Sequence, residues 1–160
     1  MKPLNLKPAS KKDFNFIDQL CQLSASNQAQ WLGDPKIKNL EDLQEKITEY
    51  ENFFHHCVLT IELDGKPAGF TGLLYKEGDL EATIIGPVLL EQYHTTAFLQ
   101  IVLDELIGIC LNTFDTIYIK IANQNKNLIQ SIDEQKWVAT NNSTNDIQSY
   151  SLKLKRALTL

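Results

Sequence analysis

Residues 57–88 read CVLTIELDGKPAGFTGLLYKEGDLEATIIGPV, and this stretch decides the fold. Cys57, Leu59, Ile61 and Leu63 alternate with Val58, Thr60 and Glu62, the two-residue period of a strand. Asp64-Gly65 follows, a pair that accepts the positive φ of a tight hairpin turn. The return strand is expected from about Pro67 to Tyr75, with Gly69 and Gly72 inside it. Glu77-Gly78-Asp79 then turns the chain into a third strand, Leu80 to Val88. Near its end Gly86-Pro87 interrupts the ladder, because proline has no N–H to donate and glycine often marks a bulge. The strand should bend or splay there.

Upstream of this meander the period is helical. Leu4 to Lys7 can form a first strand, and Ser10 with Asp13 reads as a capping box. Phe14, Ile17, Leu20 and Cys21 then recur at helical spacing, predicting a helix of about three turns. Gln22 to Lys38 is polar and irregular and reads as a loop, carrying Trp31 and Gly33-Asp34-Pro35. Asn39 can cap a second helix whose positive end suits Glu41 and Asp42, with Leu40, Leu43, Ile47 and Tyr50 as its apolar stripe.

Downstream, Thr95 or Thr96 can cap the longest helix, running to about Leu111. Phe98, Ile101, Val102, Leu106 and Ile109 cover one side of it, and Leu99, Leu103, Ile107 and Cys110 much of the rest. A helix so apolar all round is expected to be largely buried. Ile117, Ile119 and Ile121 alternate with Tyr118 and Lys120 in the next strand. Asn125 to Gln135 reads as a short helix with Leu128, Ile129 and Ile132 inward. Trp137–Thr140 and Ile147–Leu154 form a last hairpin across the polar loop Asn141 to Asn145. The whole is an α/β (α+β) chain in one domain over residues 1–160: a mixed, mostly antiparallel sheet of about seven strands with four helices.

Composition narrows the function. With 43% hydrophobic and 22% charged residues, 160 positions suffice for one core. A net charge of −5 with scattered lysines argues against nucleic acid, which needs a concentrated basic face. No run approaches the ~18 apolar residues of a membrane span, and the N-terminus lacks a signal-peptide pattern. Cys21, Cys57 and Cys110 are odd in number, far apart and set among apolar residues, so buried free thiols in the cytoplasm are expected. His55 and His56, read as lying on opposite faces of a strand, make no metal-ligand spacing with His94, and no metal is expected.

The element order resembles that of the GCN5-related N-acetyltransferases from about Leu4 to Leu154. Asp64-Gly65-Lys66-Pro67-Ala68-Gly69 looks like the family's turn between its second and third strands. Ile84-Ile85-Gly86-Pro87-Val88 resembles the end of its fourth strand, with Glu91 where a Pro-Glu pair often precedes the cofactor loop. Ile119-Lys120-Ile121 followed by Asn125 is similar to the fifth strand and the Asn after it, and Lys136-Trp137 takes the place of a Gly-Phe pair. Their common order carries the resemblance.

The resemblance implies acetyl-CoA as co-substrate and an amine, on a small molecule or a peptide, as acceptor. It implies a wedge between the fourth and fifth strands, with the pantetheine arm along Val88, Leu89 and Leu90 and Asn125 on the opposite wall. It places the pyrophosphate over Tyr93, His94, Thr95, Thr96 and Ala97, at the start of the long helix. The family's loop, Gln/Arg-x-x-Gly-x-Gly/Ala, is altered here. Starting it at Gln92 puts Thr95 at the first glycine; starting it at Tyr93 puts Thr96 and Phe98 at the glycine places. The family's general-acid Tyr falls on Ile132, leaving Tyr93, Tyr118 and Tyr150 as substitutes, and Glu81 is the carboxylate expected as general base. Trp31 belongs to the loop that lines the acceptor pocket in this family, or is a lid over the core. Two readings stay open: an acyl-CoA-dependent N-acetyltransferase, and a catalytically degenerate domain serving as a binding or interaction module. Monomer and homodimer both remain open.

Overall fold

The computed structural model describes residues 4–27, 29–133, 137–144 and 146–154. Lys136, Gln135 and Asn145, to which the sequence assigns places, lie outside them. In chain order the elements are β1 (Leu4–Pro8), α1 (Phe14–Ser26), α2 (Leu40–Glu49), α3 (Phe54–Cys57), β2 (Val58–Leu63), β3 (Lys66–Leu74) and β4 (Glu81–Leu89). Then come α4 (Thr96–Cys110), β5 (Thr116–Ala122), α5 (Lys126–Asp133), β6 (Val138–Ser143) and β7 (Ile147–Lys153). The sheet runs β1-β2-β3-β4-β5-β7-β6. Its pairs are antiparallel except β4 with β5, which α4 joins as a parallel crossover.

Local signals act as their chemistry requires. Asp64 (φ 52°) and Gly65 (φ 79°) are both left-handed, matching a two-residue hairpin loop. Asn39 Oδ1 accepts the Asp42 N–H at 2.9 Å, closing the start of α2. The Asp13 carboxylate accepts the Ser10 N–H at 2.9 Å, the reciprocal half of a capping box.

The sheet is covered on both faces. On one, Leu99, Leu103 and Leu106 of α4 and Leu128 of α5 pack on Ile84, Ile117, Ile119 and Ile121. On the other, Ile17 and Leu20 of α1 and Leu43 and Ile47 of α2 pack on Val58, Phe70, Ile85 and Val88. Each such side chain contributes about 1.5–3 kcal/mol by leaving water. Among the described residues no helix is long and apolar enough to cross a membrane.

Several expectations are corrected. Gln22–Ser26 continues α1 rather than opening the loop, because buried Ser24 accepts the Leu32 N–H on its Oγ at 2.8 Å and so anchors the returning chain. Cys57, His55 and His56 belong to the helical turn α3, not to a strand, with both histidines exposed. Asn141–Ser143 extends β6, since Ser143 still pairs with Gln148. α4 is buried on one side only: Leu99, Val102, Leu103, Leu106 and Cys110 face the sheet, while Ile101 is 51% and Ile109 48% exposed. All three cysteines are free and buried, and burial pushes the thiols of Cys21 and Cys110 up to about 12 and that of Cys57 to about 11.

Candidate active site

The site begins with a change of phase in β4. Gly72 of β3 faces Ile85 and Phe70 faces Val88, so three steps on β4 answer two on β3. The extra residue is a bulge at Gly86-Pro87, where Gly86 has φ 74° and the peptide bond to Pro87 is cis. A Cβ on Gly86 would meet the Val88 N at 2.7 Å. Ile85 and Val88 consequently face the same core, which strict alternation would forbid.

At this point β4 parts from β5. Their last pair is Ile84 with Ile119, and among the described residues nothing pairs with the β5 side of β4 beyond it. The Leu90 N–H donates to Ala68 O at 2.8 Å on the β3 side, so alternation turns the Leu89 peptide groups toward the gap. The bend read from Gly86-Pro87 is therefore present, and it opens the sheet.

His94, Asn125 and Trp31 meet at the mouth of this gap. His94 Nε2 donates to Asn125 Oδ1 at 3.2 Å, and the Trp31 ring lies over the imidazole with centroids 4.6 Å apart. His94 is 9% and Asn125 2% exposed, and among the described residues His94 Nδ1 and Asn125 Nδ2 have no partner. With Nε2 donating, neutral His94 presents Nδ1 as an acceptor, while Asn125 Nδ2 is a donor. One is free to accept and the other to donate, the two functions an amide offers in reverse. Burial holds the imidazole below its usual range, opposed by the Asn125 hydrogen bond. Trp31 also separates two cavities, one of about 160 Å³ lined by Leu89 and Leu90, and one of about 390 Å³ lined by His94 and Asn125.

The loop before α4 is closed on itself. Tyr93 N–H donates to Leu90 O, His94 N–H to Glu91 O and Thr95 N–H to Tyr93 O. Thr95 is the cap, its Oγ1 accepting the Phe98 N–H at 3.2 Å. Thr96 Oγ1 donates to Gln130 Oε1 at 3.1 Å, and Asn127 Nδ2 donates to His94 O at 2.8 Å, tying the loop to α5. The first-turn N–H groups of Thr96 and Ala97 are those a helix start leaves for an anion. Phe98 folds back on Tyr93, ring centroids 5.5 Å apart.

Glu81 is not brought to this cluster. It pairs with Thr116 at the start of β4, roughly 13 Å along the strand from Ile85 at about 3.3 Å per residue, and its carboxylate accepts from the Tyr118 hydroxyl at 3.2 Å. Burial and the neighbouring Glu81 carboxylate push the Tyr118 phenol above its usual range. Ile132 is buried in the core.

Sequence reasoning missed a second opening, on the α1–α2 face. Gly33 (φ 76°) lies so close to β5 that a Cβ would stand 2.0 Å from Lys120 O. The loop after α1 thus rests on β5 where the strands part. A recess lined by Asp34, Thr83, Ile85 and Lys120 leads from there into a cavity of about 480 Å³ reaching Lys36, Lys46 and the β6–β7 hairpin. The signals were present as Gly33-Asp34-Pro35 and as Lys120 in an apolar strand, but only the fold joins them.

No family model matches this sequence, and no curated protein matches it. Its structure resembles a spermidine N-acetyltransferase from Vibrio cholerae in complex with CoA and spermine (15% identity, 94% of this chain and 95% of the other, TM-score 0.72). It also resembles an acetyltransferase of the GNAT family from Streptococcus pneumoniae (14% identity, 95% and 99%, TM-score 0.68). A third likeness is the RimL ribosomal alpha-N-protein acetyltransferase in complex with coenzyme A (17% identity, 96% of each chain, TM-score 0.65). With its bulged fourth strand, parallel crossover and parted β4–β5 pair, this chain has the fold of the GCN5-related N-acetyltransferases.

Proposed function

We propose that this chain is an acyl-CoA-dependent N-acetyltransferase, with acetyl-CoA as co-substrate and an amine on a small molecule or protein as acceptor. The observation that carries the reading is the edge of β4 at Leu89, unpaired on its β5 side among the described residues, next to the Trp31 cluster where His94 Nδ1 and Asn125 Nδ2 have no partner among the described residues. An arm built on amides fits both features. When bound, acetyl-CoA supplies a thioester whose acetyl carbon bonds to the amine nitrogen as the C–S bond breaks, the amine losing a proton and the thiol gaining one.

In this reading Val88, Leu89 and Leu90 hold the arm like an added strand, with His94 and Asn125 closing on an amide from the other wall. Thr95, Thr96 and Ala97 present the helix start to the pyrophosphate, and Tyr93 flanks it. Two carboxylates are candidates to take the amine proton: Asp34, lining the recess at the strand parting, and Glu81, acting through water. The buried thiols suit a reducing compartment, and we place the protein in the cytoplasm.

A second reading, a binding module without catalysis, is favoured by Ile132 in place of a general acid and by the internally bonded loop. The test is acetyl transfer to a broad amine panel, followed by thiol release and product mass. Transfer to any amine, slowed about 10²-fold by Asp34→Asn and less by Glu81→Gln, supports the enzyme. CoA binding with no transfer to any amine supports the module.

A further inference from the structure

The cavity on the α1–α2 face is positively charged, in a chain whose net charge is −5. Lys36, Lys46 and Lys120 line it, and Asp34 is its one lining carboxylate among the described residues. The Lys120 backbone is held in place, while its side chain is exposed. Its neighbours Ile119 and Ile121 are buried in the α4 core, so its side chain takes the opposite face. Its backbone is pinned by Ser149 on β7 and by Gly33, whose Cα leaves no room for a side chain above Lys120 O. The Lys46 ammonium stands 3.9 Å from the Glu49 carboxylate, a partly exposed pair one helical turn apart that adds little. The Asp34 carboxylate accepts the Lys36 backbone N–H at 3.0 Å, a bond that leaves the Lys36 ammonium untouched. The far wall adds neutral polar groups from Asn141, Asn142, Ser143 and Thr144.

Three ammonium groups against Asp34 and the weakly held Glu49, a net positive charge at the place where the strands part, do not suit a polycation. We infer that the acceptor is an amine that also carries an anionic group, a carboxylate or a phosphate, which Lys36, Lys46 and Lys120 bind while the amine points to the recess at Ile85. This inference rests on the acetyl-transfer reading for the direction of the amine, and on the cavity alone for the anion. The lysines do a second task. Their charge disfavours the protonated form of the incoming amine, raising the share that carries a free lone pair for attack.

The test compares O-phospho-L-serine, L-glutamate and spermidine, by calorimetric binding to the CoA-saturated protein and by steady-state acetyl transfer. At least one anionic amine should bind, more tightly than spermidine by tenfold or more. Lys120→Met and Lys46→Met should each weaken that binding and raise KM about tenfold, with a smaller change in kcat. Lys36→Gln, on an exposed loop, serves as the variant least able to disturb folding, and should act in the same direction. Equal or better binding of spermidine overturns the inference, as does unchanged affinity in Lys120→Met, or no binding of either anionic amine at millimolar concentration. Lysine-dependent binding of an anionic amine, with no transfer to it or to any amine of the broad panel, would sink the transferase reading and leave the anion pocket standing. Transfer with spermidine preferred would do the reverse.

Discussion

At His94 two opposing pulls meet. Burial disfavours the imidazolium, and the Asn125 hydrogen bond favours it; burial is the larger. The folded state therefore keeps His94 neutral at pH values where the unfolded chain has begun to take up a proton. Where the unfolded state binds more protons, stability rises with pH. The contribution is whole above about pH 6.5 and is lost progressively as pH falls from there through the depressed folded value. Melting temperature followed from pH 8 to pH 5 should fall below about pH 6.5, and less so in His94→Gln. An equal fall in both proteins would show that His94 is not the group responsible. The sequence marked His94 as part of a cofactor loop and left Trp31 between pocket wall and lid. Their stacking was not legible, because it joins residues from two loops that only the sheet brings together.

The elements were read more surely than their surroundings. The β2–β3 hairpin, the Asn39 cap and the bend at Gly86-Pro87 follow from local chemistry, and the structure has all three. The face of α4 was misread for a physical reason: its apolar residues run nearly all round, so periodicity could not say which side meets the sheet. The end of α1 was misread because Ser24 and Gln22 look like loop residues, and only the Leu32 N–H held by Ser24 explains the extra turn. α4 thus provides a direct contrast. Leu103→Ala should cost about 2–5 kcal/mol, because it empties space in the core. Ile101→Gln, on the exposed side, should stay within about 0.5 kcal/mol. Urea unfolding of the two variants measures both, and similar costs would mean that the exposed side is covered in solution.

For the whole molecule, one strand parting organises two openings. Leu89, His94 and Asn125 line the cavities beside Trp31, and Asp34, Lys46 and Lys120 line the other opening. The first was legible through a resemblance of order. The second was not, because its lysines come from the loop after α1, from α2 and from β5. The central claim is that the first opening takes the CoA arm. Melting temperature with and without acetyl-CoA tests it most directly. Ligand at ~100 times its Kd stabilises the native state by about 2.7 kcal/mol, roughly 5–10 °C for a domain of this size. The account predicts that rise in the unmodified protein and its loss when Thr95 and Thr96 are both replaced by Asp, whose carboxylates would repel a pyrophosphate at the start of α4. No rise in the unmodified protein at millimolar acetyl-CoA would contradict it.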